Sequence, residues 1–187
     1  MYVVWLQIIW KNHFQKWDGK TICLISIDGT DCAIQEPSPF DKGIFSQKLN
    51  GPGYKYEVGV CIQTGDIVWI NGPFKAGRSD VTIFREDGLK DALCDDECVE
   101  CDGVYVGDDK FKAPGVGQSR ADRIQKSKVR ARQETVNSRL KIFRILDDVF
   151  CHQLSRHCDA FRAVAVIVQL GFDLYGPMYD VEYDATY

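Results

Sequence analysis

Three carboxylates are spaced as a metal-assisted reaction would need them. Asp28 follows the apolar, β-branched run Thr21–Ile27, Asp102 follows a short run near Cys98–Cys101, and Glu134 sits alone in a basic stretch. Acids delivered from two strand ends and one helix suit a divalent cation, because Mg²⁺ prefers hard oxygen ligands and keeps several waters. Two such ions can activate a water or a 3′-hydroxyl and stabilise the leaving oxygen of a phosphodiester. The plainer alternative is solvated acids at element ends, since the chain holds 27 acidic residues and such triples arise easily.

The helix around Glu134 sharpens the case. At about 100° per residue, Arg130 lies about 40° from Glu134 on one side and Lys141 about 20° on the other. Val129, Val136, Leu140, Phe143 and Leu146 fall roughly 120–240° away. An acid flanked by two cations, opposite an apolar stripe, suits a carboxylate centre beside phosphates. Lys126, Lys128, Arg132, Arg139 and Arg144 extend the positive field. A solvated basic helix is the simpler reading of the same residues.

The elements that must position these groups follow from the remaining sequence. The chain has 187 residues, room for one domain or a small pair, and enough to bury a core without disulfide or metal staples. Hydrophobic content of 45% and charged content of 27% are those of a globular protein and argue against disorder, collagen or coiled-coil arrays. No run of 18 apolar residues suggests a membrane span. The apolar run Tyr2–Trp10 lacks a cleavage site and is not read as a signal peptide. Net charge is −4, yet residues 110–144 carry eleven Lys or Arg against Asp122 and Glu134, a block of +9 in a body of −13. That asymmetry points to an anionic partner.

Thr21–Ile27 is expected to be a buried strand ending on Asp28-Gly29. Residues 35–54, rich in Pro and Gly, read as a long irregular connection. Tyr54–Gln63 alternates, with Tyr56, Val58, Val60 and Ile62 on one face, and Thr64-Gly65-Asp66 turns it into Ile67–Ile70 as a hairpin that Gly72-Pro73 ends. Ser79 can cap a helix over 80–93, with Val81, Phe84 and Leu89 inward and Gly88 its weak point. A strand near Cys98–Cys101, a loop over 107–119, a long helix over 120–150 and a last helix over 157–172 complete the order. Phe161, Val164, Ala165, Val168 and Phe172 share one face of that last helix. Strand, hairpin, helix, strand, helix, helix implies an α/β protein with a mixed sheet covered by helices. The aromatic, acidic tail is expected over the surface.

Other candidates carry less. Eight cysteines in a chain of this size, with no secretory signal, read as free buried thiols. Cys94, Cys98 and Cys101 would need a fourth ligand, such as His152 or His157, to hold zinc; small hydrophobes beside a strand are the simpler reading. None of His13, His152 and His157 has a nucleophile at a hydrolase spacing. Trp5, Trp10, Phe14 and Trp17 read as packing on the sheet, with base stacking the alternative.

These residues resemble the DDE superfamily of transposase endonucleases, and within it the PIF/Harbinger group and its bacterial relatives. The carrying segments are Ser26-Ile27-Asp28-Gly29-Thr30-Asp31, Asn50-Gly51-Pro52-Gly53 with Tyr56-Glu57-Val58-Gly59-Val60, and Asn71-Gly72-Pro73-Phe74. They continue with Cys101-Asp102-Gly103-Val104-Tyr105-Val106-Gly107, Arg132-Gln133-Glu134-Thr135-Val136-Asn137 and Phe161-Arg162-Ala163-Val164-Ala165. The likeness spans about residues 20–183. The family's Arg-x3-Glu-x6-Lys spacing stands as Arg130, Glu134 and Lys141, while Ser127 occupies the place of a tyrosine in the bacterial pattern. Its Asp-x-Gly-Tyr segment stands as Asp102-Gly103-Val104-Tyr105, the glycine displaced.

The resemblance implies an RNase H-like fold of the ribonuclease H and retroviral-integrase type. It implies Asp28, Asp102 and Glu134 as a catalytic, metal-binding triad for Mg²⁺ or Mn²⁺, two ions in all. Lys126, Lys128, Arg130, Arg132 and Lys141 become DNA-binding candidates. Asp102 is preferred over Asp108 and Asp109 because it precedes Tyr105 at the family's spacing; Asp80 is read as a helix-start residue and Asp31 as a turn or supporting group. The implied activity is phosphodiester cleavage at transposon ends followed by strand transfer into target DNA, in the nucleus, with no membrane partner. The expected division is an N-terminal aromatic segment over 1–20, the catalytic domain over 21–176 and a tail over 177–187. With only about 20 residues before the first strand and no helix-turn-helix pattern, end recognition is expected to need a separate DNA-binding protein or further sequence, and self-association is compatible. Two rivals stay open: a catalytically inactive, transposase-derived module that binds DNA or protein, and a general nuclease of the same fold.

Overall fold

The computed structural model describes residues 22–86, 88–95, 97–103, 105, 107–112, 119–176 and 180–181. The early tryptophans and Phe14, and nearly all of the tail, lie outside these residues. Six strands form one mixed sheet: β1 (Ile22–Ala33), β2 (Phe45–Ser46), β3 (Gly51–Cys61), β4 (Ile67–Lys75), β5 (Glu97–Glu100) and β6 (Phe111–Lys112). β3 pairs antiparallel with both β1 and β4, while β5 runs parallel to β1 and β6 parallel to β5. The short β2 pairs with the start of β3.

Helices cover both faces. Along β1 the period of two sends Ile25 and Ile27 to one side and Cys32 to the other. On the first side, Ile25, Ile27, Val68 and Val99 pack under Phe84 of α1 (Asp80–Glu86) and Leu89. On the second, Tyr56, Val58 and Val60 of β3 meet Val136 and Leu140 of α2 (Arg120–Lys141), Leu146 of α3 (Arg144–Asp147), and Phe161, Val164, Ala165 and Val168 of α4 (His157–Tyr175). Tyr56 and Phe161 stack with ring centroids 3.8 Å apart. This is the expected RNase H-like α/β arrangement, a mixed sheet flanked by helices. Among the described residues, no helix is long and apolar enough to cross a membrane.

The hairpin and the inward face of the last helix stand as their periodicity predicts. Several bounds differ. β1 does not end at Asp28 but runs on to Ala33, because Gly29, Thr30 and Asp31 pair with Glu57, Tyr56 and Lys55 of β3. The connection after it is shorter than expected, since β3 already begins at Gly51. β4 continues through Gly72-Pro73 to Lys75. The helix over 80–93 stops at Glu86, and a 3₁₀ turn over Leu89–Ala92 follows Gly88, where a Cβ would strike the backbone of Ile83 and Phe84. The helix over 120–150 ends at Lys141: Phe143 is extended, its side chain packs against the core, and Lys141 Nζ donates to Leu146 O at 2.9 Å across the break. α4 runs three residues beyond its expected end, to Tyr175.

Candidate functional site

The parallel pairing of β1 and β5 brings two of the acids together. Ser26 is in register with Glu100, so Asp28, within β1, and Asp102, just past the end of β5, each two residues further on, come to the same level of neighbouring strands. Helix α2 crosses at this level. Ser119 caps it, accepting from Asp122 N–H at 3.1 Å while Asp122 accepts from Ser119 N–H. Val129, Val136 and Leu140 press it onto the sheet. Asp28, Asp102 and Glu134 thereby line one cavity, together with Lys126, Arg130 and Gln133.

The three acids are held differently. Asp28 is half-buried and takes one neutral donor on each oxygen: Gly29 N–H on Oδ1 at 2.8 Å and Asn137 Nδ2 on Oδ2 at 2.9 Å. Burial raises its pKa above the usual carboxylate value, and Asp80 and Asp102 add to this, against Lys48 and the Gly29 N–H. Asp102 is half-exposed, accepts from Gly103 N–H at 2.6 Å and has Arg130 Nη2 at 3.6 Å. Glu134 is exposed and makes no hydrogen bond or ion pair with the described residues.

The cations expected on one solvated face divide into two kinds. Lys128 and Arg130 are exposed. Lys126 is buried, its Nζ 2.6 and 2.8 Å from the Glu100 carboxylate oxygens and 2.9 Å from Lys112 O. Arg132 is buried as well and donates to Ile62 O and Gln63 O at the hairpin turn. Lys141 does not line the cavity; its Nζ donates to the main-chain oxygens of Asp31 and Leu146. The expectation of an open basic face is corrected for these three, because each is engaged with main-chain or carboxylate oxygens of the fold.

The rival acids lie elsewhere. Asp108 is tied to Arg85 at 3.1 Å and Lys90 at 2.8 Å, and neither it nor Asp109 lines the cavity. Asp31, read as a turn or supporting group, lies within β1 and accepts from Ser46 Oγ at 2.5 Å. Asp80 opens α1 as expected, pairs with buried Lys55 at 2.9 Å, and lies so close to Gly29 that any Cβ there would collide with its carboxylate. The sequence pattern does not single out two further groups. Lys48, from the loop between β2 and β3, donates to Gly29 O at 3.1 Å, and its charge acts on Asp28. Asn137 touches Asp28 directly. Asn137 was recoverable, three residues past Glu134 on the same helix face; nothing in the local sequence marks Lys48.

The donor types suit a hard divalent cation: carboxylate oxygens from three elements around one cavity, with the charge of Asp28 disfavoured chiefly by burial and further by Asp80 and Asp102. Their spacing here is not that of a closed ligand set. Among the described residues no three His, Cys, Asp or Glu side chains are gathered tightly enough to hold an ion, at the acids or at Cys94, Cys98 and Cys101. A family model described as DDE superfamily endonuclease matches residues 27–169, more than half of the chain. No match was found among curated proteins or among solved structures.

Proposed function

Since the chain belongs to the DDE superfamily endonucleases, we propose that residues 21–176 form a DNA-cleaving catalytic domain of the PIF/Harbinger kind, acting on nuclear DNA. Asp28, Asp102 and Glu134 would hold Mg²⁺ or Mn²⁺, two ions in all. The observation that carries this reading is the single cavity those acids share, reached from β1, the end of β5 and α2. Bound divalent ions would activate the attacking water or 3′-hydroxyl and neutralise the charge of the leaving oxygen.

The chain's own residues have separable tasks. Asp28 is oriented by two neutral donors and keeps its charge available. Arg130 stands at 3.6 Å from Asp102 with half its side chain in solvent, so it can turn to a DNA phosphate when Asp102 takes up a cation. Lys48, whose charge acts on Asp28, and the exposed Lys128 of α2 supply further positive charge for phosphate contacts, which fix the strand without reading its sequence. His157 takes no part: it is fully buried, its Nδ1 2.8 Å from Tyr56 Oη. Strand transfer would use the same site with a freed 3′-hydroxyl as nucleophile.

The non-catalytic module is the second reading, favoured by Arg130 standing at Asp102 and by three acids not drawn together. Labelled duplex DNA incubated with Mg²⁺ or Mn²⁺ separates the two. Metal-dependent nicking that Glu134→Gln abolishes is the expected result. Salt-sensitive binding without nicking, equal in both proteins, would replace it with the module. Nicking of any duplex without preference for transposon ends would point to a general nuclease.

A further inference from the structure

Among the described residues, Gln133, Gln169 and Asn137 are side-chain amides that bond across the fold, and Asn137 is half used. Gln133 is satisfied at both ends, its Oε1 accepting from Ser26 Oγ at 2.7 Å and its Nε2 donating to Val58 O at 3.1 Å. Gln169 is too: its Oε1 accepts from Ile67 N–H at 2.8 Å and its Nε2 donates to Asp66 and Asp173. Asn137 donates through Nδ2 to Asp28 Oδ2, which fixes the amide's orientation because a carboxylate can only accept. Its Oδ1 is buried and has no partner among the described residues.

A buried carbonyl oxygen left without a donor is costly, and such exceptions ask for a reason. The reason lies in the neighbourhood. The unpaired oxygen belongs to the same planar amide that touches Asp28, and one helical turn separates Asn137 from Glu134. It is a hard, neutral oxygen, the donor type that divalent cations accept alongside carboxylates.

Resting on the triad reading above, we propose that Asn137 serves the metal site twice. Through Nδ2 it is a positioning residue that orients the Asp28 carboxylate without neutralising it. Through Oδ1 it offers a fourth oxygen to the cation or to a water the cation carries. An amide suits both tasks where a lysine would not: a cation at this position would orient Asp28 but compete with the metal for it.

The test is Mn²⁺ binding, read by calorimetry and by the Mn²⁺-induced rise in melting temperature, in the wild-type chain and in Asn137→Ala, Asn137→Asp and Asp28→Asn. Alanine is a strong helix former, so Asn137→Ala should keep α2 and its metal-free melting temperature. Its Mn²⁺ affinity should fall about 10–100-fold, as for other groups that orient metal ligands. Asn137→Asp, which restores an oxygen, should bind Mn²⁺ more tightly than Asn137→Ala. Wild-type Mn²⁺ affinity in Asn137→Ala, while Asp28→Asn loses binding, would overturn the role of Asn137 and leave the triad standing. Unchanged affinity in Asp28→Asn would overturn the triad itself, and this inference with it.

Discussion

Two regions of helix α2 use charge in opposite ways. Where the helix meets the sheet, polar groups are paired: Lys126 has both Glu100 oxygens and a main-chain carbonyl, Arg132 has two carbonyls, and Gln133 bonds at both ends. Around the three acids the pairing loosens. Glu134 has no partner among the described residues, Arg130 and Asp102 meet only at 3.6 Å, and Asn137 leaves one oxygen unpaired. Charges of the first region are committed to the fold. Those of the second are left for something that arrives. A count of basic residues cannot make this distinction, because Lys126 and Lys128 differ by two positions in the chain and by complete burial in the structure.

The sharpest way to break the contrast is to remove a buried cation. Lys126→Ala leaves Glu100 charged and enclosed, and loss of one partner from a buried pair costs about 3–5 kcal/mol. Urea unfolding should show that loss, while Lys128→Ala stays within about 0.5 kcal/mol of wild type. Equal effects of the two would dissolve the division. Arg132→Met comes next. It strips charged donors from Ile62 O and Gln63 O, and at about 1.5–3 kcal/mol for hydrogen bonds of this kind it should loosen the hairpin turn first. Hydrogen exchange at residues 62–66 should rise more than at β5.

The same contrast explains what the sequence could and could not reveal. The hairpin and α4 were legible because one face of each is apolar at a fixed period. Arg132 was legible in principle: at about 100° per residue it lies about 160° from Glu134, within the apolar stripe. The continuation of β1 was hidden, because Asp28-Gly29-Thr30-Asp31 has turn composition and becomes strand only through partners far along the chain, Lys55 and Ser46 among them. The end of α2 was hidden for the same reason: the break after Lys141 is stabilised by a bond to Asp31 O, 110 residues away. Of the site, the acids could be named from spacing and resemblance, but Lys48 and the half-used Asn137 acquire their roles only through tertiary neighbours.

A smaller effect should follow from pH. His157 is fully enclosed beside Tyr56, and burial, with Lys141 adding to it, lowers its pKa to about 4 from 6.5, against a backbone hydrogen bond that favours the charged form. The unfolded chain therefore binds the proton more readily than the folded one. Stability from this group is complete above about pH 6.5 and is lost as pH falls toward about 4. Glu57, raised to about 7 chiefly by burial, works the other way, losing stability as pH rises from 4.5 through 7. Urea midpoints of wild type and His157→Gln, compared from pH 7 to pH 4, isolate the first effect. The gap between the two proteins should change across that window, and a constant gap would show that His157 is not held neutral.

The smallest effects belong to the open region, and there the stability readout should be nearly silent. The Glu134 carboxylate is exposed and makes no hydrogen bond or ion pair with the described residues, so Glu134→Gln should unfold within about 0.5 kcal/mol of wild type even as it stops nicking. Lys128→Ala should be equally quiet in unfolding yet visible in DNA binding. Removing one cation from the phosphate backbone reduces the slope of log affinity against log salt by about 1, with little change between sequences. Arg130→Ala should show the same slope change and additionally free Asp102, so its Mn²⁺ affinity should rise rather than fall. If Arg130→Ala instead weakened Mn²⁺ binding and destabilised the fold, Arg130 would belong with Lys126 and Arg132 among the cations committed to structure, and the boundary between the two regions would have to be moved one turn along α2.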